Sequence, residues 1–486
     1  MPRRNVCAIP VNREHISGDS IRAARRSRVM AGQFQEQGGA ATMDPGGLQR
    51  WLTSRLMTCL SRPERMARKR RKAERARRRE GRPHVVEYFH QVEDGYSHLA
   101  AQILQSLAQR YEIELVCHLV PAEKGSNAPE PELLQALSRY DARHVAPEYG
   151  LSFPHHDNAP PQSGMALAGR ILAALDNAEF IDAAAEVGEA LWSGDDSRLE
   201  ALARRLGNAT EQQLASKLDA GAARRKELGH YSGAMFHYAG EWYWGVDRLY
   251  HLEHRLAELG ADRDPGAPLL VERPQEERGP LRDDGSLTLE VFPSLRSPYT
   301  AISFDRAVAL ARDTGVQLVV RPVLPMVMRG VPATRVKGMY IFWDAAREAR
   351  AVGVPYGRFY DPIGEPVRRA YSLYPWAEAQ GRGNELISAF LSCAFARGVN
   401  TNTHRGLRRV VEYAGLDWHA AREIIGDAEW EDRLEENRLA MYASGLWGVP
   451  SFRLLNRAGE EILALWGQDR LWLFAREIQR QLGAQG

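Results

Sequence analysis

The chain has 486 residues, 44% of them hydrophobic and 26% charged, with a formal net charge of +2. That length and apolar content suffice for two or three domains with sizeable cores, and no run of about 18 apolar residues appears, so no membrane-spanning helix is expected. The four cysteines, Cys7, Cys59, Cys117 and Cys393, lie far apart and form no CxxC. This argues against both a dithiol oxidoreductase and a disulfide framework, and fits a reducing cytoplasm.

Residues 1–83 read as a disordered, basic leader. The opening MPRRNVCAIPVNREH has no apolar core of a secretory signal. Trp51, Leu52, Leu56, Met57 and Leu60 could supply at most one short helix. Residues 62–82 hold twelve Lys/Arg against three Glu, which leaves the rest of the chain net acidic. A solvated, helical run is preferred there over a nucleic-acid contact, because no aromatic residue interrupts it to stack on bases.

A first domain is expected over 84–259. VVEYFH, a corner, a helix and EIELVCHLVP read as β-α-β, and helical patterns fill about 129–228. AMFHYAGEWYW then reads as a hairpin turning at Ala239-Gly240, followed by the helix VDRLYHLEHRLAEL. Residues 260–285, rich in Pro, Gly and charge, make a linker. A second domain over 286–486 repeats the order: strand LTLEVF, corner Ser297-Pro298-Tyr299, helix, strand VQLVVRPVLP, a helical block, hairpin SFRLLNRAGEEILALW and a closing helix.

The repetition extends to motifs. Asp94-Gly95-Tyr96 and Ser297-Pro298-Tyr299 lie 203 residues apart, as do Tyr140-Asp141 and Trp343-Asp344, and Gly150 and Gly353. Trp244-Gly245-Val246-Asp247-Arg248-Leu249 is matched by Trp466-Gly467-Gln468-Asp469-Arg470-Leu471. Two copies of one α/β fold are therefore expected. Ser297 falls at a helix start with Pro298 just inside it, where it serves either as a plain N-cap or as a donor at a site favouring negative charge.

Ser297-Pro298-Tyr299 after the first strand, together with Gly448-Val449-Pro450-Ser451-Phe452 and Trp466-Gly467-Gln468-Asp469-Arg470, resembles the DsbA-like thioredoxin-fold superfamily. Within it the second copy looks most like 2-hydroxychromene-2-carboxylate isomerases and kappa-class glutathione transferases. The resemblance implies two tandem thioredoxin-like folds, each with a helical insertion. It implies a glutathione-dependent isomerase or transferase acting on an electrophilic, aromatic-derived keto acid. Ser297 would donate to the glutathione sulfur and favour its thiolate; Val449 and a cis Pro450 would pair with the cysteinyl part; Gln468 and Asp469 would meet the γ-glutamyl end. From the residues alone the Val449-Pro450 bond could equally be trans, and Asp469 could simply serve its helix dipole. Tyr299, Arg321, Lys337 and Arg347 would line the substrate pocket, although Tyr299 is equally suited to a core and each of the three cations taken singly reads more readily as a surface or structural charge. Two departures stand out: Ser294 replaces an acidic residue, and Arg329-Gly330-Val331-Pro332 replaces an Asn-x-Pro-Pro-like segment.

In the first copy Asp94, Gly95 and Ala234 replace the serine and the two prolines, so that copy is expected to be non-catalytic and to pair with the second in place of a homodimer partner. The alternatives are a non-catalytic thioredoxin-like binding or scaffold protein, and a redox enzyme using Cys117 or Cys393 alone. His155-His156-Asp157 and the pair His251/His254 supply no third and fourth ligand at recognised spacing, so no metal is expected.

Overall fold

The computed structural model describes residues 44–155, 159–331, 333–426 and 430–484. His156, Asp157, Pro332 and the first 43 residues, on which some of these expectations fall, lie outside that set. Two four-stranded sheets organise the chain, in the orders β2-β1-β3-β4 and β6-β5-β7-β8. The strands are β1 (Val85–His90), β2 (Glu114–Leu119), β3 (Met235–Tyr238), β4 (Glu241–Trp244), β5 (Thr288–Phe292), β6 (Gln317–Val320), β7 (Ser451–Leu455) and β8 (Glu461–Trp466). β1 pairs parallel with β2 and antiparallel with β3, and β5 does the same with β6 and β7.

The central strands β1 and β5 are buried on both faces over almost their full length. Their near-continuous apolar runs follow from that placement. Each ends at a corner that opens a helix, Gly95–Ala101 in the first lobe and Pro298–Thr314 in the second. The β3–β4 hairpin turns at Ala239-Gly240, both with positive φ (47° and 79°), the conformation that two-residue hairpins require. Large apolar clusters fill each lobe, and Trp472 of the closing helix packs into the cluster of the first lobe.

The leader departs from expectation. Residues 47–60 and 63–79 are helices, and the first is docked rather than solvated. Its residues 50, 54, 58 and 61 share one face and meet the extended backbone at 357–363. Arg50 donates to the carbonyls of Asp361 and Ile363, and Ser54 Oγ accepts from the Asp361 N–H. Thr58 bonds both backbone groups of Phe359, and Ser61 donates to Gly357 O. A segment outside either sheet must satisfy its backbone somehow, and this helix shares the task with the Phe395 and Ala394 carbonyls, which accept from the Gly357 and Tyr360 N–H groups. The second, basic helix lies on the first lobe, where Arg70 grips the Glu241 carboxylate with two bonds of 2.8 and 2.7 Å. Arginine-rich composition misled here because part of the charge is spent on a buried acid.

No helix among the described residues is long and apolar enough to cross a membrane. Among the same residues no cluster of three metal-ligating side chains occurs, and His251 is hydrogen-bonded to Glu348.

Candidate functional site

The corner after β5 is fixed from several sides. Leu295 N–H donates to Tyr371 Oη at 3.1 Å, and Arg296 forms a two-bond pair with Asp361 at 2.9 and 3.0 Å. Ser297, in extended conformation, caps the following helix: its Oγ accepts from the Thr300 N–H at 3.1 Å. Thr300 Oγ1 in turn accepts from Ser294 N–H, which closes the turn. The Val449–Pro450 bond is cis, and Ser297 Oγ donates to the Val449 carbonyl at 3.2 Å. Ser297, Val449 and Pro450 are thus brought together, with the hydroxyl at a helix N-terminus whose free N–H groups favour negative charge. Only 9% of Ser297 is exposed.

Gln468 and Asp469 are placed differently from expectation. Asp469 Oδ2 accepts from Arg248 of the first lobe at 2.6 Å, and Gln468 Nε2 donates to the buried Glu348 at 2.9 Å. Both polar groups are committed to the junction between the lobes. The junction is reciprocal. Arg248 reaches across to Asp344 (3.0 Å) and Asp469, while Arg470 reaches back to Asp141 (2.6 Å) and Asp247 (2.7 Å). Tyr299 donates to Asp344 at 2.9 Å just as Tyr96 donates to Asp141 at 2.7 Å. Leu137 packs beside Phe292, Val449 and Trp466, and its counterpart Tyr340 packs beside Phe89 and Trp244. Arg248 and Arg470 hold Asp469 below the ordinary aspartate range against the opposing effects of burial and of the nearby Glu348 carboxylate.

Residues 288–479 match the family model of the DSBA-like thioredoxin domain. This part of the chain is a DSBA-like thioredoxin domain. Among solved structures, a 2-hydroxychromene-2-carboxylate isomerase is 20% identical, covering 41% of this chain and 97% of that one at a TM-score of 0.34. A probable DsbA oxidoreductase from Streptomyces coelicolor is 21% identical over 40% and 90% of the two chains, with a TM-score of 0.33. The cytosolic disulfide reductase DsbM from Pseudomonas aeruginosa is 19% identical over 40% and 99%, with a TM-score of 0.31. No curated protein matches the chain.

The other pocket residues expected in the DSBA-like domain divide. Arg321 pairs through Nε with Glu290 at 2.7 Å, a buried acid that also holds Arg453, so its charge already serves a structural partner. Arg347 is bound to Asp344 at 2.7 Å, and the Tyr299 hydroxyl is likewise occupied by Asp344. Lys337 is the exception. Its amine donates to Asn127 O at 3.1 Å and stands 5.5 Å from the ring of Trp447, two residues before Val449. Burial pushes this amine down to about 8, and no carboxylate pairs with it among the described residues. Cys393 is pushed up to about 11 and Cys117 higher still by burial, which keeps both thiols protonated and unreactive.

The first-lobe corner carries a carboxylate instead. Asp94 accepts from Tyr96 N–H, Ser97 N–H and Ser97 Oγ, and burial pushes it up to about 6. Ala234 takes the place of Pro450: its carbonyl accepts from Gly245 N–H at 2.7 Å, as the Pro450 carbonyl accepts from Gly467 N–H at 3.1 Å. Ala234 has φ 52°. Sequence reasoning missed Arg248 and Glu348. A signal for Arg248 existed: an Asp-Arg pair repeated in both motifs, beside a repeated Asp141/Asp344, is what reciprocal pairing needs.

Proposed function

We propose that the DSBA-like domain is a glutathione-dependent isomerase or transferase acting on an electrophilic, aromatic-derived keto acid. The reading rests on one observation: a serine hydroxyl at a helix N-terminus, 3.2 Å from a carbonyl on the cis-proline loop. The sulfur end of glutathione fits this corner. The glutamyl end fits poorly, because Asp469 and Gln468 already serve Arg248 and Glu348. When bound, the cofactor supplies a sulfur nucleophile at a corner that has Ser297 in place of a cysteine. Ser297 then turns its proton from Val449 O towards sulfur, while Thr300 N–H keeps Oγ in place. A charge-assisted bond at a helix N-terminus lowers a thiol from its ordinary value of about 8.5. Val449 is the backbone partner for the cysteinyl part. Lys337, largely protonated at neutral pH and unpaired with any acid, receives the substrate carboxylate. The first lobe is a non-catalytic, diverged copy acting as a built-in partner, and the working compartment is the cytoplasm.

A second reading, a thioredoxin-like binding module without catalysis, is favoured by the commitment of Asp469 to Arg248. Calorimetry of the full chain with glutathione separates them. Binding that Ser297→Ala weakens at least about tenfold supports the enzyme. Absence of binding at millimolar glutathione removes the enzyme reading and leaves the second.

A further inference from the structure

A cavity of about 320 Å³ opens where the basic helix, the β3–β4 hairpin and the insertion helix Arg335–Ala351 of the DSBA-like domain meet. It is remote in composition from the Ser297 corner and contains neither Ser297 nor Val449. Three of its lining side chains carry buried donors with no acceptor among the described residues. His230 is 5% exposed; its Nδ1 accepts from Ser232 N–H at 3.1 Å, so the neutral ring carries its proton on Nε2, the unpartnered atom. The Tyr340 hydroxyl (7% exposed) and Arg347 Nε are the other two.

Buried donors left without acceptors cost free energy unless a water or ligand supplies the missing lone pairs. The charge around them points the same way. Two further arginines at the rim, Arg335 and Arg350, form no ion pair among the described residues. The two carboxylates in the wall are already neutralised: Glu241 by Arg70 and Arg255, Asp344 by Arg248 and Arg347. Trp242 at 4.6 Å and Tyr340 at 4.9 Å from the His230 ring make one aromatic side of the wall, and Met66, Leu228, Val336 and Met339 add aliphatic surface beside Lys69. The volume lies at the small end of ligand pockets, suited to one or two rings and too small for a dinucleotide.

We infer that this junction cavity binds a small aromatic carboxylate, its ring against Trp242 and His230 and its oxygens on the His230, Tyr340 and Arg347 donors, with Arg335 and Arg350 supplying countercharge. Planar guanidinium groups and aromatic faces are the chemistry that such a ligand requires. The inference stands independently of glutathione binding at Ser297.

The test is titration of the full chain with 1-naphthoate, read by calorimetry and by quenching of tryptophan fluorescence, with neutral 1-naphthamide as the comparison. The expected result is naphthoate binding, with naphthamide weaker by about tenfold or more. Arg335→Gln with Arg350→Gln weakens naphthoate by a similar factor; both side chains are exposed, so folding is unaffected. Tyr340→Phe, which removes only the hydroxyl, weakens it several-fold, and Ser297→Ala leaves it unchanged. Absence of naphthoate binding in the millimolar range, equal affinity for the amide, or indifference to the double arginine change would each overturn the inference. Displacement of naphthoate by an equal concentration of inorganic phosphate would overturn the aromatic class.

Discussion

The corners after β1 and β5 occupy equivalent places in two sheets of the same order, yet one holds Asp94 and Ala234 and the other Ser297 and a cis Pro450. Both residues cap their helices through backbone N–H groups, so capping alone does not distinguish them. What differs is the state each can offer to a ligand. A hydroxyl keeps a proton to donate to an anion at any working pH. A carboxyl pushed up to about 6 is mostly ionised at neutral pH and repels an anion, and below that it donates only by losing its role as an acceptor. On the proposed reading, the Ser297 corner suits a thiolate and the Asp94 corner repels one.

The largest effect comes from breaking what joins the two. Arg248→Ala strips the countercharge from Asp344 and Asp469 and is expected to cost about 3–5 kcal/mol, seen as a fall in the midpoint of urea or thermal unfolding. Arg470→Ala, which orphans Asp141, should cost a similar amount. An unchanged midpoint in both would mean that the lobes are held by apolar packing alone. Next comes conversion of one corner into the other. Ser297→Asp is expected to remove glutathione binding altogether, whereas Ser297→Ala weakens binding and, through the lost cap, costs about 1 kcal/mol of stability. If Ser297→Asp binds glutathione as tightly as the parent, the contrast between the corners has no chemical content.

A pH series sharpens the same contrast. The folded Asp94 lies above its ordinary value of 3.8, so between about pH 4 and 6 the folded state holds more proton than the unfolded one. Stability must then fall as pH rises through that window, by at most about 1.4 kcal/mol per pH unit, and level off above it. Denaturant titrations at several pH values should show this contribution in the parent and its loss in Asp94→Asn, with no matching contribution from the Ser297 corner. The smallest effect belongs to Arg321→Gln. Glu290 keeps Arg453, so stability should change by about 1 kcal/mol or less and glutathione binding not at all.

The elements were legible because their signals are local. The hairpin at Ala239-Gly240 announces itself by its turn residues, the corners by strand-to-helix changes of period, and the Ser297–Val449 meeting by resemblance to a known corner. Asp469 was misplaced because its partner Arg248 lies far away in sequence, and an acid in a first helical turn looks the same whether it faces ligand, dipole or another lobe. Arg321 was misplaced for a related reason: the strand register, which sets its Glu290 within reach, is invisible in composition. The helix 47–60 was undervalued because its docking face is made of Arg50, Ser54, Thr58 and Ser61, polar residues that an apolar-periodicity search discards.

The exchanged arginines carry one more implication. Each half holds both plug and socket: the second has Arg470 together with Asp344 and Asp469, and the first has Arg248 together with Asp141 and Asp247. Such a surface is self-complementary, so two copies of either half would neutralise one another's charges in the same way. Because both halves lie on one polypeptide, this mutual neutralisation is intramolecular and does not depend on protein concentration.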